Sequence, residues 1–137
     1  MCMNDCIFCK IIAGEIPSSK IYEDQNSFAF LDITPINPGH TLLIPKKHSR
    51  NIFDTDDEVL KQLAPKIKKL STAIRDGVGA DGINIQINNE PIAGQVVFHI
   101  HIHIIPRFEN DGIKPWKGKE YDKGEMEEIS NKIKIHI

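Results

Sequence analysis

Three histidines alternate with isoleucine in Phe98-His99-Ile100-His101-Ile102-His103-Ile104-Ile105-Pro106-Arg107. Imidazole titrates near neutrality and carries two distinct nitrogens, so it can serve as base, nucleophile, proton donor or metal ligand. A spacing of two is the period of a β-strand, whose successive side chains point to opposite faces. The pattern predicts a strand over Gln95 to Ile105 with His99, His101 and His103 on one face, neighbours about 6–7 Å apart, and Phe98, Ile100, Ile102 and Ile104 on the other. A merely solvated face draws a mixture of Lys, Glu, Thr and Ser. One residue type three times over points to chemistry.

Two chemistries suit such a row. A His-x-His pair can share zinc or iron when a third ligand arrives from elsewhere. A double-stranded β-helix oxygenase would complete that set with a carboxylate or further histidine on an almost all-β chain; here Ile-Ile-Pro-Arg follows His103 and a long helical pattern interrupts the strands, which weakens the reading. Alternatively, a neutral imidazole attacks phosphorus and forms a covalent intermediate, splitting one hard displacement into two easier ones. A flanking cationic histidine then neutralises phosphate oxygens or protonates the departing group. Gly94 permits close backbone approach, and N–H groups of the Gly94–Val96 segment can meet an anion. Phosphate-ester or phosphoramidate transfer fits this set.

A second constellation is the Cys6-x-x-Cys9 pair. Cys2, Cys6 and Cys9 are the only cysteines, an odd and crowded count that makes a poor disulfide framework. In a reducing compartment the pair reads as a metal or redox site. A thioredoxin-like arrangement wants a preceding strand, and almost no chain stands ahead of Cys6.

These residues need positioning elements. Cys6 to Ala13 has helical periodicity, with Asn4 or Asp5 as N-cap and Gly14 and Pro17 as stops. Ile21-Tyr22, Ser27–Asp32, His40–Pro45 and Ile83–Asn88 read as strands, the second and third joined by a Pro/Gly/Asn-rich turn that favours antiparallel pairing. Between them Val59, Leu60, Leu63, Ile67, Leu70 and Ile74 recur at three and four, a single helical stripe. Thr55 to Glu58 has the spacing of a capping box, Pro65 is expected to bend the helix, and Gly77 and Gly79 to end it. The opposite face, with Lys61, Lys66, Lys68 and Lys69, reads as solvated surface. In the tail, Gly124 to Lys132 looks helical, and Ile133–Ile137 either extends that helix or forms an edge strand. The expected fold class is α+β: an antiparallel sheet of about five strands with one long helix and short terminal helices.

At 137 residues the chain is long enough for one substantial core, and no repeat or linker divides it. Residues 1–137 are expected to form a single domain, with its core over about 5–107 and a tail over 108–137. A net charge of −2 with no run of like charge gives no basic surface for nucleic acid. No apolar run approaches the ~18 residues of a membrane span, and no signal-peptide segment is evident, so a soluble, cytoplasmic protein is expected.

The row His99-Ile-His101-Ile-His103-Ile-Ile resembles the His-φ-His-φ-His-φ-φ signature of the histidine triad (HIT) superfamily. The stretches Cys6-Ile-Phe-Cys-Lys-Ile-Ile, Glu15-Ile-Pro, Asp32-Ile-Thr-Pro, Gly39-His-Thr-Leu-Leu-Ile-Pro-Lys-Lys-His48 and Gly94-Gln-Val-Val-Phe-His are similar to the Hint branch of nucleotide-binding phosphoramidases. The resemblance runs in order from about Cys6 to Arg107. It implies a homodimer whose sheets meet as one, and in each subunit a pocket for a purine nucleoside monophosphate or its phosphoramidate or anhydride. It makes His101 the nucleophile and has His103 contact the phosphate and assist the leaving group, with His99 and His40 in support. Ile7, Phe8, Ile11, Phe30, Ile33 and Leu42 fall where the family sandwiches the base, although simple core packing accounts for such residues equally well. Asp32 falls where a carboxylate holds the ribose hydroxyls, with a turn role before Pro35 as the plainer alternative. Asn88, Gly94, Gln95 and the Val96 amide match phosphate contacts. Hint proteins often carry serine where this chain has Val96, which removes a hydroxyl donor. Some superfamily members join such a cysteine pair to two histidines, here His48 and His99, around a structural zinc. Rival readings are a dinucleoside polyphosphate hydrolase of the Fhit branch, and a nucleotide-binding adaptor with incidental turnover.

Overall fold

In the computed structural model, which describes residues 5–137, the elements run α1 (Ile7–Ile12), β1 (Lys20–Glu23), β2 (Ser27–Leu31), β3 (Thr41–Pro45), α2 (Asp57–Val78), β4 (Gly82–Gln86), a 3-10 turn (Pro91–Ala93), β5 (Ile102–Arg107) and α3 (Glu125–Lys134). The strands form one antiparallel sheet in the order β1-β2-β3-β5-β4, the α+β arrangement expected.

Strand alternation divides the core between the two faces. Ala29, Leu43, Ile102 and Ile104 point toward α2 and meet its Leu63, Leu70 and Ile74. Phe28, Phe30, Leu42 and Ile44 point the other way, against Phe8 and Ile11 of α1. Because β2 and β3 are covered on both sides, they read as continuous apolar runs. Leu42 pairs with His103, so His103 shares the α1 face. Each buried Leu or Ile contributes roughly 1.5–3 kcal/mol. A one-residue slip of β5 would drive His103 into the α2 core, so the apolar pattern itself fixes the histidine's direction.

Several local expectations need correction. The histidine strand begins only at Ile102, so His99 and His101 lie on the approach to it. Pro45 explains this: it has no N–H to continue the ladder, and its carbonyl is taken by His99 Nε2 at 2.8 Å. Phe98, expected on one face with Ile100, Ile102 and Ile104, does not share their burial: it is 41% exposed, beneath the Arg50 guanidinium at 4.2 Å. Cys6, not Asp5, occupies the N-cap position of α1, without a side-chain capping bond, and Asn4 lies outside the described residues. The capping box does not form, since Asp56 precedes α2 while the Thr55 hydroxyl donates to the Asn51 carbonyl at 2.6 Å. Gly77 stays inside α2, and Gly79 alone, with φ +66°, ends it. Lys66 is turned inward, its Nζ 2.8 Å from both Ser27 Oγ and Asp24 Oδ2. Of the C-terminal segment only Ile133 and Lys134 extend α3, which is capped by Ile135, and no edge strand forms there. Among the described residues, no helix is long and apolar enough to cross a membrane.

Candidate functional site

On the α1 face of the sheet lies a cleft of about 590 Å³. Ile7, Phe8 and Ile11 of α1 and Phe30 and Leu42 of the sheet form its apolar part. Asp32, Ile33, His40, Asn88, Gly94, Val96, His101 and His103 complete the expected lining. For Phe8, Ile11, Phe30 and Leu42 core packing and cleft lining are not alternatives, since the same side chains do both. Ile33 and Val96 sit on the rim, 94% and 84% exposed.

Two expected residues are elsewhere. Gln95 is buried, and its amide is spent on backbone carbonyls, with Nε2 donating to that of Arg50 at 2.6 Å and that of Val97 at 3.1 Å. His99 is also buried and faces the cysteine pair. Ile16, Pro17, Thr34, Ile36, Gln86 and Val97 line the cleft without having been singled out in the sequence. Of these, Ile16, Pro17, Thr34 and Val97 fall within the stretches that carry the family resemblance, and Gln86 alternates with Ile83 and Ile85 and pairs with His103.

The hydrogen bonds assign the histidine tautomers. His101 Nδ1 lies 2.7 Å from the His99 carbonyl, which can only accept, so Nδ1 carries the proton and Nε2 keeps its lone pair. The Ile36 N–H donates to His40 Nδ1 at 3.1 Å. Neutral His40 therefore holds its proton on Nε2 and donates it to His103 Nδ1 at 2.9 Å. His103 is left with its proton on Nε2, a buried atom with no partner among the described residues. Burial lowers all three groups from the ordinary histidine range, His103 to about 4, where the neighbouring His101 and His40 add to the effect. The rings of His101 and His103 are 4.9 Å apart, so an imidazole lone pair and an imidazole N–H sit side by side.

Asp32, His40 and His103 also lie close enough to suggest a metal group. The hydrogen-bond chain argues against it, because His40 Nδ1 is occupied by Ile36 and Nε2 must then carry a proton. Asp32 serves the turn as well as the cleft. Its Oδ1 accepts from the Thr34 N–H and hydroxyl at 2.9 and 3.2 Å, while its Oδ2 lies 3.7 Å from His40.

The second cluster suits a metal better. Ligand atoms of Cys6, Cys9, His48 and His99 all lie within 4.8 Å of one another. The separations are 3.5 Å for Cys6 Sγ to His99 Nδ1, 3.5 Å for Cys9 Sγ to His48 Nδ1, 3.6 Å for Cys9 Sγ to His99 Nδ1, and 3.1 Å between the two Nδ1 atoms. A zinc tetrahedron with ordinary bond lengths has N–S edges of about 3.6 Å and an N–N edge of about 3.3 Å. His99 presents Nδ1 to the cluster because Nε2–H donates to the Pro45 carbonyl, the backing that metal-bound histidines need. The donor set and spacing therefore fit a tetrahedral metal ion.

Comparison with known proteins returns one family. The HIT domain family matches residues 13–110. The chain is 47% identical over 136 residues to "Protein hit" of Bacillus subtilis, covering 96% of this chain and 94% of that one. It is 47% identical over 108 residues to the "Adenylylsulfatase HINT3" of Arabidopsis thaliana, covering 79% of this chain but 55% of that longer protein. Among solved structures, a HIT family member from Bacillus subtilis superposes with a TM-score of 0.91 at 44% identity, with 98% of each chain covered. A histidine triad nucleotide-binding protein from Candida albicans gives 0.85 at 36% identity, with 96% of each chain covered. A zinc-bound histidine triad family protein from Mycobacterium smegmatis gives 0.77 at 35% identity, covering 97% of this chain and 98% of that one.

Proposed function

For this chain, which belongs to the HIT domain family, we propose hydrolysis or transfer of purine nucleoside phosphoramidates through a nucleotidyl group carried on His101. The observation that carries the reading is the pair of tautomers: His101 Nε2 with a free lone pair, next to His103 with a proton on Nε2. The base lies between Ile7, Phe8 and Ile11 of α1 and Phe30 and Leu42 of the sheet, and Asp32 meets the ribose. The phosphate sits against Asn88, Gly94 and Val96. Gln95 contributes from beneath by holding the loop.

The chemistry follows from the hydrogen bonds. For His103 to donate, the His40–His103 pair must hold one more proton than in the free protein; the anionic substrate favours it, and His40 Nδ1 takes it by releasing the Ile36 N–H. His101 Nε2 attacks phosphorus and the P–N bond breaks, while the proton on His103 Nε2 passes to the departing amine. Water then attacks the same phosphorus, the bond to His101 Nε2 breaks, and the water's proton returns to His103. The nucleoside monophosphate is released. In the intermediate the His99 carbonyl continues to accept the His101 Nδ1–H, which steadies the positive charge on that ring.

The adenylylsulfatase relative supports a second reading at the same nucleophile, in which the substrate is an acid anhydride and the group displaced is an acid anion such as sulfate rather than an amine. A substrate panel separates the two. Adenosine phosphoramidate is expected to turn over fastest, ahead of adenylyl sulfate and diadenosine polyphosphates. Turnover confined to the anhydrides would replace the reading, and AMP binding with negligible turnover of any of them would favour an adaptor.

Val96 tunes the same step. A Val96→Ser variant gains a donor on the cleft rim and is expected to change kcat for amine leaving groups by about 2–10-fold, the worth of one hydrogen bond. Equal kcat for both proteins across a series of amines would remove that role.

Zinc is the metal proposed for the Cys6, Cys9, His48 and His99 cluster, on its donor set and on the zinc-bound family structure. When bound it would hold α1 to the segment leading into β5. The chain is proposed to act as one cytoplasmic domain and as a homodimer. β4 ends the sheet, with Ile85 48% exposed, and so offers an edge where a second sheet can continue the first.

A further inference from the structure

The loop that follows Asn88 and brings Gly94 and Val96 to the cleft begins at a strained residue. Glu90 has φ +75° and ψ 155°, a conformation that glycine adopts freely and glutamate does not. Its carboxylate is held from outside the loop: Arg50 donates from Nε at 3.1 Å and Nη2 at 2.7 Å, and Asn51 donates from Nδ2 at 2.8 Å. Its backbone closes the loop, because the Glu90 N–H donates to Gln95 Oε1 at 2.9 Å while the Glu90 carbonyl accepts from the Ala93 and Gln95 N–H groups at 3.0 and 3.2 Å. Asn51 and Gln95 are both buried, and Arg50 stacks on Phe98.

Exposed ion pairs contribute little to stability, so a half-exposed Arg50–Glu90 pair that sustains a strained backbone is a poor stabilising device. Backbone strain of this kind persists where surrounding contacts over-determine it, and it clusters at ligand-binding loops. We propose that Glu90, stapled to Arg50 and Asn51, is a positioning residue that sets the Gly94–Val96 backbone in the conformation that receives a nucleotide's phosphate. This rests on the nucleotide reading of the cleft. Gly94 is the receiving end: its φ of +91° leaves no comfortable place for a side chain, and its carbonyl lies 3.4 Å from Asn88 Nδ2.

Glu90→Gly separates positioning from stability, because glycine accepts the backbone angles without strain but cannot reach Arg50. The variant is expected to melt at the wild-type temperature or higher. Amide exchange at Ala93, Gly94 and Gln95 should accelerate at least tenfold while Leu43 and Ile104 stay protected. AMP affinity by calorimetry should fall at least fivefold, with Glu90→Gln recovering part of it through its remaining carbonyl acceptor. Wild-type protein that binds AMP, beside a Glu90→Gly variant that binds equally well or keeps its loop protection, overturns this proposal alone. Wild-type protein that binds no AMP overturns both this and the nucleotide reading.

Discussion

His101→Ala should lose at least about 10³-fold in kcat toward a nucleoside phosphoramidate, the scale seen when a covalent nucleophile is removed. The ring cannot be replaced from nearby. His103 directs Nδ1 at His40, and its Nε2 carries a proton. His99 is committed through Nε2–H to Pro45 and turns Nδ1 toward the cysteines. His101 alone has a lone pair facing the cleft on a ring held from behind, by the His99 carbonyl and by the edge-on Phe8 at 5.1 Å. Wild-type enzyme quenched during turnover should carry nucleotide on the peptide containing His101, seen by mass spectrometry, and the variant should carry none. Activity within tenfold of wild type, or an adduct on another histidine, would remove the mechanism. The fold should survive the change, because His101 lies on the cleft side and Ile100 and Ile102 keep their burial.

Much of this was legible because sheet alternation and site chemistry coincide. The isoleucines that bury Ile102 and Ile104 against α2 are the same signal that turns His103 toward the cleft. The period predicted three equivalent histidines on one strand, and there it overreached. Pro45 interrupts the ladder, so His99 and His101 are placed by single hydrogen bonds from the side, which no period encodes. Side-chain competition is equally silent in a sequence. Thr55 has the spacing of a cap, yet its hydroxyl goes to Asn51; Lys66 stands on a lysine-rich face, yet it turns in to Ser27. Gln95 occupies a phosphate-contact position by resemblance, but its burial and its bonds to Arg50 and Val97 make it a strut. Arg50, Asn51 and Glu90 were missed for a related reason. Glutamate gives no local warning of a positive φ, and its partners lie about forty residues away.

The cysteine cluster carries the other large expected effect, because one residue serves both sites. His99 turns Nδ1 toward Cys6 and Cys9 and offers its backbone carbonyl to His101. His48 precedes Ser49, whose carbonyl accepts the Ile100 N–H between the first two histidines of the row. The cysteines lie at the start of α1, whose Phe8 and Ile11 wall the cleft. A zinc ion across the cluster would therefore tie together α1, which walls the cleft, and the approach to β5. Protein purified without chelator is expected to hold about one zinc per chain by metal analysis, and a Cys6→Ala, Cys9→Ala double variant close to none. A ligand held at a thousandfold above its dissociation constant stabilises by about 4 kcal/mol. At roughly 3–5 °C per kcal/mol for a domain of this size, the double variant should melt more than about 10 °C lower. Its residual activity, measured below that temperature, should fall together with the loss of order at His101, since the His99 carbonyl is no longer fixed. Wild-type protein with well under one zinc per chain would sink the assignment. So would a double variant that keeps its melting temperature, because the four side chains would then be packing without a metal.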